Sequence, residues 1–176
     1  MTTQESRSPD GWRVDGSDPG DYEVGVDRAV FHGGKSSGSI KAAVPSPKGF
    51  CTLAQVFKAD SHRGQRLRMS GYIKAEGVTG WTGLWMRVDG PNRQPLGFDN
   101  MRARPIQGTS DWAPYQIVLD VPAESTAIAF GFLLSGGGQA WADDFAFEVV
   151  GHQVPTTGDV APEGYPDAPR NLDFES

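Results

Sequence analysis

The chain has 176 residues, 38% of them hydrophobic and 10% aromatic, which is too apolar for a disordered protein. A chain of this size buries roughly 70% of its unfolded surface around one core. The formal net charge of −6, with no Lys/Arg stripe, argues against nucleic acid as a direct partner, and no apolar run approaches the roughly 20 residues of a membrane helix.

The N-terminal stretch MTTQESRSPDGW has neither a basic region nor an apolar region of the secretory kind. With a single cysteine, Cys51, there is no internal disulfide framework, and the two observations together point to a reducing cytoplasm.

No window of a dozen residues carries a helical apolar stripe free of Gly or Pro, and 23 Gly and 13 Pro punctuate short alternating runs. The pattern predicts strands at 21–27, 39–44, 50–59, 66–76, 82–90, 114–121, 126–135 and 141–150. Strands of this number and length make an all-β jelly-roll sandwich of two antiparallel sheets, with about 8–10 strands in all. The body covers 1–153, a Pro-rich extended connector follows at 154–170, and NLDFES at 171–176 alternates like a strand.

Alternation then sorts the faces. Within the fourth run Leu67, Met69 and Ile73 oppose Arg68, Ser70, Tyr72 and Lys74; within the fifth, Leu84, Met86 and Val88 oppose Trp85, Arg87 and Asp89. Pairing of these two strands would assemble Arg68, Tyr72, Trp85, Arg87 and Asp89 on one surface. Aromatic plates beside planar donors and a carboxylate suit a sugar or a small polar ligand, since the plates cover C–H faces and the polar groups fix hydroxyls. The competing reading makes Arg87 and Asp89 an ion pair on a solvated sheet face.

Segment 96–112 is long for a connection, and such loops tend to be functional, which places Asp99, Asn100, Arg102 and Arg104 at the border of the same concavity. Alternatively Asp99 and Asn100 close Asx turns on their own backbone. Gln55, polar in an apolar strand, is either tied to backbone or aimed at the ligand. If the protein is instead a cofactor-independent cyclase, isomerase or lyase, Tyr72, Asp89 and Asp99 are its acid/base groups. A third reading is a structural domain that docks protein through this face.

Other chemistry has little support. His32, His62 and His152 are scattered, no G-x-S-x-G elbow occurs, Cys51 sits in an apolar strand, and Gly136–Gly138 lacks the Lys and helix of a phosphate loop. No cofactor is expected on these grounds.

The stretches HGGKSSGSIKA, QVFKADSHRGQRLRMSGYIKAEGVTGWTGLWMRVDG and GQAWADDFAFEVV resemble the carbohydrate-binding-module-like jelly rolls of the galactose-binding-domain superfamily. They look most like a little-characterised bacterial group that occurs alone or beside transcription-regulator and peptidase modules. The resemblance covers residues 11–150 and the last six, and this fold hosts lectins, effector sensors and enzymes. It implies a sugar ligand and a structural Ca²⁺ held by Asp144, Glu175 and carbonyls of 27–36.

In such modules a segment like NLDFE stands just before a turn like Pro9–Trp12, whereas here it ends the chain. It would then fill its slot from the other terminus, with Leu172 and Phe174 turned to the core. Two alternatives are that it fills a partner's slot in an exchanged homodimer or opens a second module.

Overall fold

A computed structural model describes residues 8–158 and Leu172. The described strands are β1 (Arg13–Gly16), β2 (Tyr22–Asp27), β3 (Ser37–Ala42), β4 (Phe50–Lys58), β5 (Gln65–Asp89), β6 (Pro95–Asp99), β7 (Ile106–Val121), β8 (Ala127–Ser135) and β9 (Gln139–Val150). All their pairings are antiparallel. The chain is a jelly-roll β-sandwich, as the alternation predicts.

Each of the eight strands expected between 21 and 150 is present, but two of them are one. The runs at 66–76 and 82–90 are the halves of β5, a single strand of 25 residues. Its first half lies between β7 and β9, and its second half lies between β8 and β6. One layer is therefore β7-β5-β9-β3-β2 and the other is β6-β5-β8-β4-β1, with β5 crossing from one to the other.

The crossing occurs at Gly77–Trp81. Gly77 adopts φ 61, a conformation that side chains disfavour, and a side chain on Gly80 would run into the carbonyl oxygen of Ser135. Because both halves turn their apolar residues inward, Leu67, Met69, Ile73, Leu84, Met86 and Val88 all have zero exposure.

β9 solves a parity problem with a bulge. Ala142 faces Ile73 and Asp143 faces Tyr72, yet Ala146 faces Ser70, so one extra residue stands in β9. Asp144 is that residue, with φ 53. The insertion returns Phe145 and Phe147 to the inner side, where Phe130 meets them with ring centroids 5.8 and 4.9 Å away. Trp12, delivered by the turn in which its N–H reaches the Pro9 carbonyl, joins the same cluster 5.5 Å from Phe130.

Two strands were not anticipated. β1 has only four residues, and β6 begins with Pro and contains Gly, which an edge strand tolerates and an alternation search rejects. Segment 96–112 is accordingly not a long loop: it holds most of β6, a short turn and the start of β7. Of the expected terminal strand only Leu172 is described; it stands in a turn and is 75% exposed. Phe174, Glu175 and most of the connector lie outside the described residues, and with them the expected strand exchange.

Tyr22 ties β2 to the far end of the sandwich. Its hydroxyl lies 2.9 Å from the Gly49 carbonyl oxygen and 2.8 Å from that of Gly136, and burial pushes its pKa up from 10.0 to about 12. Burial likewise raises Cys51 from 9.0 to about 12. Both folded groups keep their proton where the unfolded chain loses it, so their stabilisation is present at neutral pH and is lost as pH rises through 9 and 10 toward about 12. Urea unfolding should show stability falling over that alkaline window. Tyr22→Phe should be about 1 kcal/mol less stable at pH 7 and less steeply alkali-sensitive above pH 10; a curve parallel to the parent's would refute the assignment.

Candidate ligand groove

The outer face of the β1-β4-β8-β5-β6 layer is hollowed into a groove of about 470 Å³. Its shape follows from strand register. Phe50 lies across from Ser135 and Trp81, Thr52 from Leu133 and Gly83, and Ala54 from Gly131 and Trp85. These residues point outward because their neighbours Cys51, Leu53, Leu84 and Phe132 point into the core.

Gly131 decides what the Trp85 ring does. The indole Nε1 donates to the Thr52 hydroxyl at 2.6 Å, although β8 separates β5 from β4. Strands stand about 4.8 Å apart, so the ring must bridge roughly 10 Å, lying along the sheet above the one position of that row without a side chain. A side chain on Gly131 would also collide with the Leu53 carbonyl oxygen. Thr52 in turn donates to the Phe132 carbonyl at 2.8 Å, which fixes the hydroxyl that receives the indole. The result is a flat aromatic floor, flanked by Phe50, Trp81 and Phe98 and edged by Asp15, Arg87 and Asn100.

Of the residues singled out from sequence, Trp85, Arg87 and Asn100 meet in this groove. Asp89 lies beneath its edge, nearly buried, and holds the Arg87 guanidinium in two hydrogen bonds of 2.7 and 3.0 Å. Arg87 and Asp89 thus pair with each other, with Asp89 nearly buried, and Arg87 borders the groove as well.

Arg68 and Tyr72 do not belong to this surface. The two halves of β5 sit in different layers with their apolar sides facing each other, so the two polar sides face opposite directions. Arg68 pairs with Glu148 of β9, and Tyr72 lies under the His32 ring at 3.7 Å, nearly parallel. Gln55 also falls outside, on the inner side of β4 beside Gly11.

Asp99 is buried and spent. It accepts from the Met101 N–H at 2.8 Å, the Thr157 hydroxyl at 2.6 Å and Arg104 Nη2 at 2.9 Å. Asn100 accepts from the Arg102 N–H at 3.1 Å, so both residues close Asx turns as the alternative reading held. Tyr72, Asp89 and Asp99 consequently do not converge on one point, and the acid/base trio expected of an enzyme is not assembled.

Asp144 bonds His32 Nδ1 at 2.7 Å, and Asp143 accepts the N–H groups of His32 and Gly33 at 2.9 and 3.0 Å. In the same loop Asp27 is held below the usual carboxylate range: burial opposes this, but the Trp141 indole N–H and the N–H groups of Val30 and Ala29 outweigh it. The 27–36 loop thus presents N–H donors to these carboxylates. Among the described residues no three His, Cys, Asp or Glu cluster in a way that could hold a metal ion, and Glu175 lies outside them.

Several groove residues escaped sequence reading. Asp15 and Ser17 belong to or follow the unread β1, Phe98 to the unread β6, and Trp81 to the gap between two supposed strands. Phe50 and Thr52 were legible by parity, since Cys51 and Leu53 between them are the apolar members of β4.

No family model matches the chain. The chain is 48% identical over 166 residues to a protein of Bacillus subtilis named as an uncharacterized HTH-type transcriptional regulator, YbfP, covering 94% of this chain and 56% of that protein. The chain therefore spans little more than half the length of that curated relative.

Among solved structures it superposes on the CBM22-1 xylan-binding domain of Paenibacillus barcinonensis Xyn10C with TM-score 0.57 and 17% identity, over 80% of this chain and 86% of that one. It superposes equally on the Stig cyclase Fisc of Fischerella, with TM-score 0.57 and 14% identity, over 82% and 87%. These likenesses place the fold with the jelly rolls of carbohydrate-binding modules. No described helix is long and apolar enough to cross a membrane.

The clasp at Asp99 is open to direct measurement. Asp99→Asn removes the Arg104 ion pair and weakens the Thr157 bond, and should cost about 1–2 kcal/mol in urea denaturation. Thr157→Ala should cost about 1 kcal/mol. Unchanged unfolding midpoints in both would show that the clasp does not hold the edge.

Proposed function

We propose that the groove binds a carbohydrate or a small glycosidic ligand, and that the domain reads the presence of that ligand without transforming it. The observation that carries this is the Trp85 indole laid flat on the sheet and pinned by Thr52. A fixed aromatic plate receives the apolar C–H face of a pyranose with little loss of side-chain freedom. Arg87, held by Asp89, and Asn100 stand at its margin to meet hydroxyl groups in set directions.

The fold of the xylan-binding neighbour supports a sugar as the class of ligand. The regulator named at 48% identity supports a sensing role, in which an attached module responds to the occupied groove. Arg87 and Asp89 satisfy each other, and Asp99 is committed to Met101, Thr157 and Arg104, so no free carboxylate of the predicted trio stands ready for proton transfer.

Calorimetric titration with short xylo-, gluco- and galacto-oligosaccharides tests the proposal. Trp85→Ala should weaken the bound sugar by about 10-fold or more while circular dichroism stays sandwich-like. Tyr72→Ala, altered on the opposite layer, should leave affinity as it is. Equal affinity in the parent and Trp85→Ala, or loss in Tyr72→Ala alone, would overturn the assignment.

A further inference from the structure

A second hollow of about 440 Å³ adjoins the groove, and Phe98 and Asn100 line both. Its walls differ in kind. Where the groove is floored by Trp85 and Leu133, the annex is walled by Arg102, Arg104, Asp99 and Thr157.

Among the described residues that line the annex, two are arginines, Arg102 and Arg104, and one is a carboxylate, Asp99, on a protein whose formal net charge is −6. That carboxylate is also unavailable as an acceptor, because Asp99 already serves Met101, Thr157 and Arg104. Arg104 uses its Nη1 and Nη2 groups on Asp99 and the Gln116 carbonyl, and its Nε–H is left over. Arg102 is exposed, its backbone N–H bound by Asn100, and among the described residues its guanidinium is in no ion pair or hydrogen bond.

An anchored cation next to one that is unpaired among the described residues, beside an aromatic groove, suits an anion that hangs from a ring. A planar guanidinium meets carboxylate or phosphate oxygens two at a time, which neutral hydroxyls do not match. We propose that the groove's ligand is an acidic saccharide whose carboxylate or phosphate enters the annex, where Arg102 binds it directly and Arg104 assists from its clasp with Asp99. The proposal rests on the reading of the groove as a sugar site and adds the class of sugar. Asp15, at the β1 end of the groove, places a carboxylate far from the annex across the sheet and favours seating the acidic end on the Arg102 side.

The test is a matched titration at low salt with xylotetraose, galactotetraose, tetragalacturonate and glucose 6-phosphate. An acidic probe should bind about 10-fold or more tighter than a neutral one, because hydrogen bonds to charged groups exceed neutral ones. The preference should shrink as salt rises from about 0.05 to about 0.5 M. Arg102→Ala should bring the acidic probe down to neutral affinity and leave the neutral probes unchanged, with Arg102→Lys intermediate. Which acidic probe prevails, uronate or phosphate, identifies the anion.

Neutral probes that bind as tightly as acidic ones in the parent would overturn the annex and leave the groove standing. Equal losses for both probe types in Arg102→Ala would do the same. Failure of every probe to bind would overturn groove and annex together.

Discussion

A single strand that must be buried in two sheets governs this molecule. β5 places Leu67, Met69, Ile73 and Ala75 in one layer and Leu84, Met86 and Val88 in the other, all without solvent exposure, and the two sets face each other across the core. Neither sheet can slide along the other while one backbone runs continuously through both. Everything outward on β5 is assigned by that requirement: Tyr72 and Arg68 to one exterior, Trp85 and Arg87 to the other.

The exterior carrying Trp85 is built from strands, and its functional side chains are immobilised by partners of their own. Trp85 is held by Thr52, and Arg87 by Asp89. Such groups have little side-chain freedom left to lose. The run of β8 from Ile128 to Leu134 is buried throughout, its outward members Ala129, Gly131 and Leu133 included, which is why the strand reads as continuously apolar.

Much of this was legible. The fold class and eight strand segments follow from alternation and punctuation, because one side of each strand must be apolar. Trp85 and Arg87 were placed on one face for the same reason, whereas Asn100 was reached through the length of segment 96–112, most of which is strand. The composite surface with Arg68 and Tyr72 was not real, since parity assigns a residue to a side of its own strand and says nothing of which sheet that strand joins. The gap at 77–81 between two expected strands is where one continuous strand bends, at Gly77 and Gly80. β1 and β6 stayed hidden because four residues, or a Pro beside a Gly, give alternation too little to work on. The clasp of Asp99 on Thr157 joins positions 58 residues apart and has no local signature.

The extra residue at Asp144 works as a change of reading frame. Ahead of it, even-numbered positions of β9 face inward, where Ala140 and Ala142 leave room for neighbours; after it, odd-numbered positions do, bringing Phe145 and Phe147 under Phe130. The length of this strand is thereby constrained separately from its composition. A chain shortened by one residue here would keep every side chain it needs and present two phenylalanines to water, so drift at this point is open to substitution and closed to deletion.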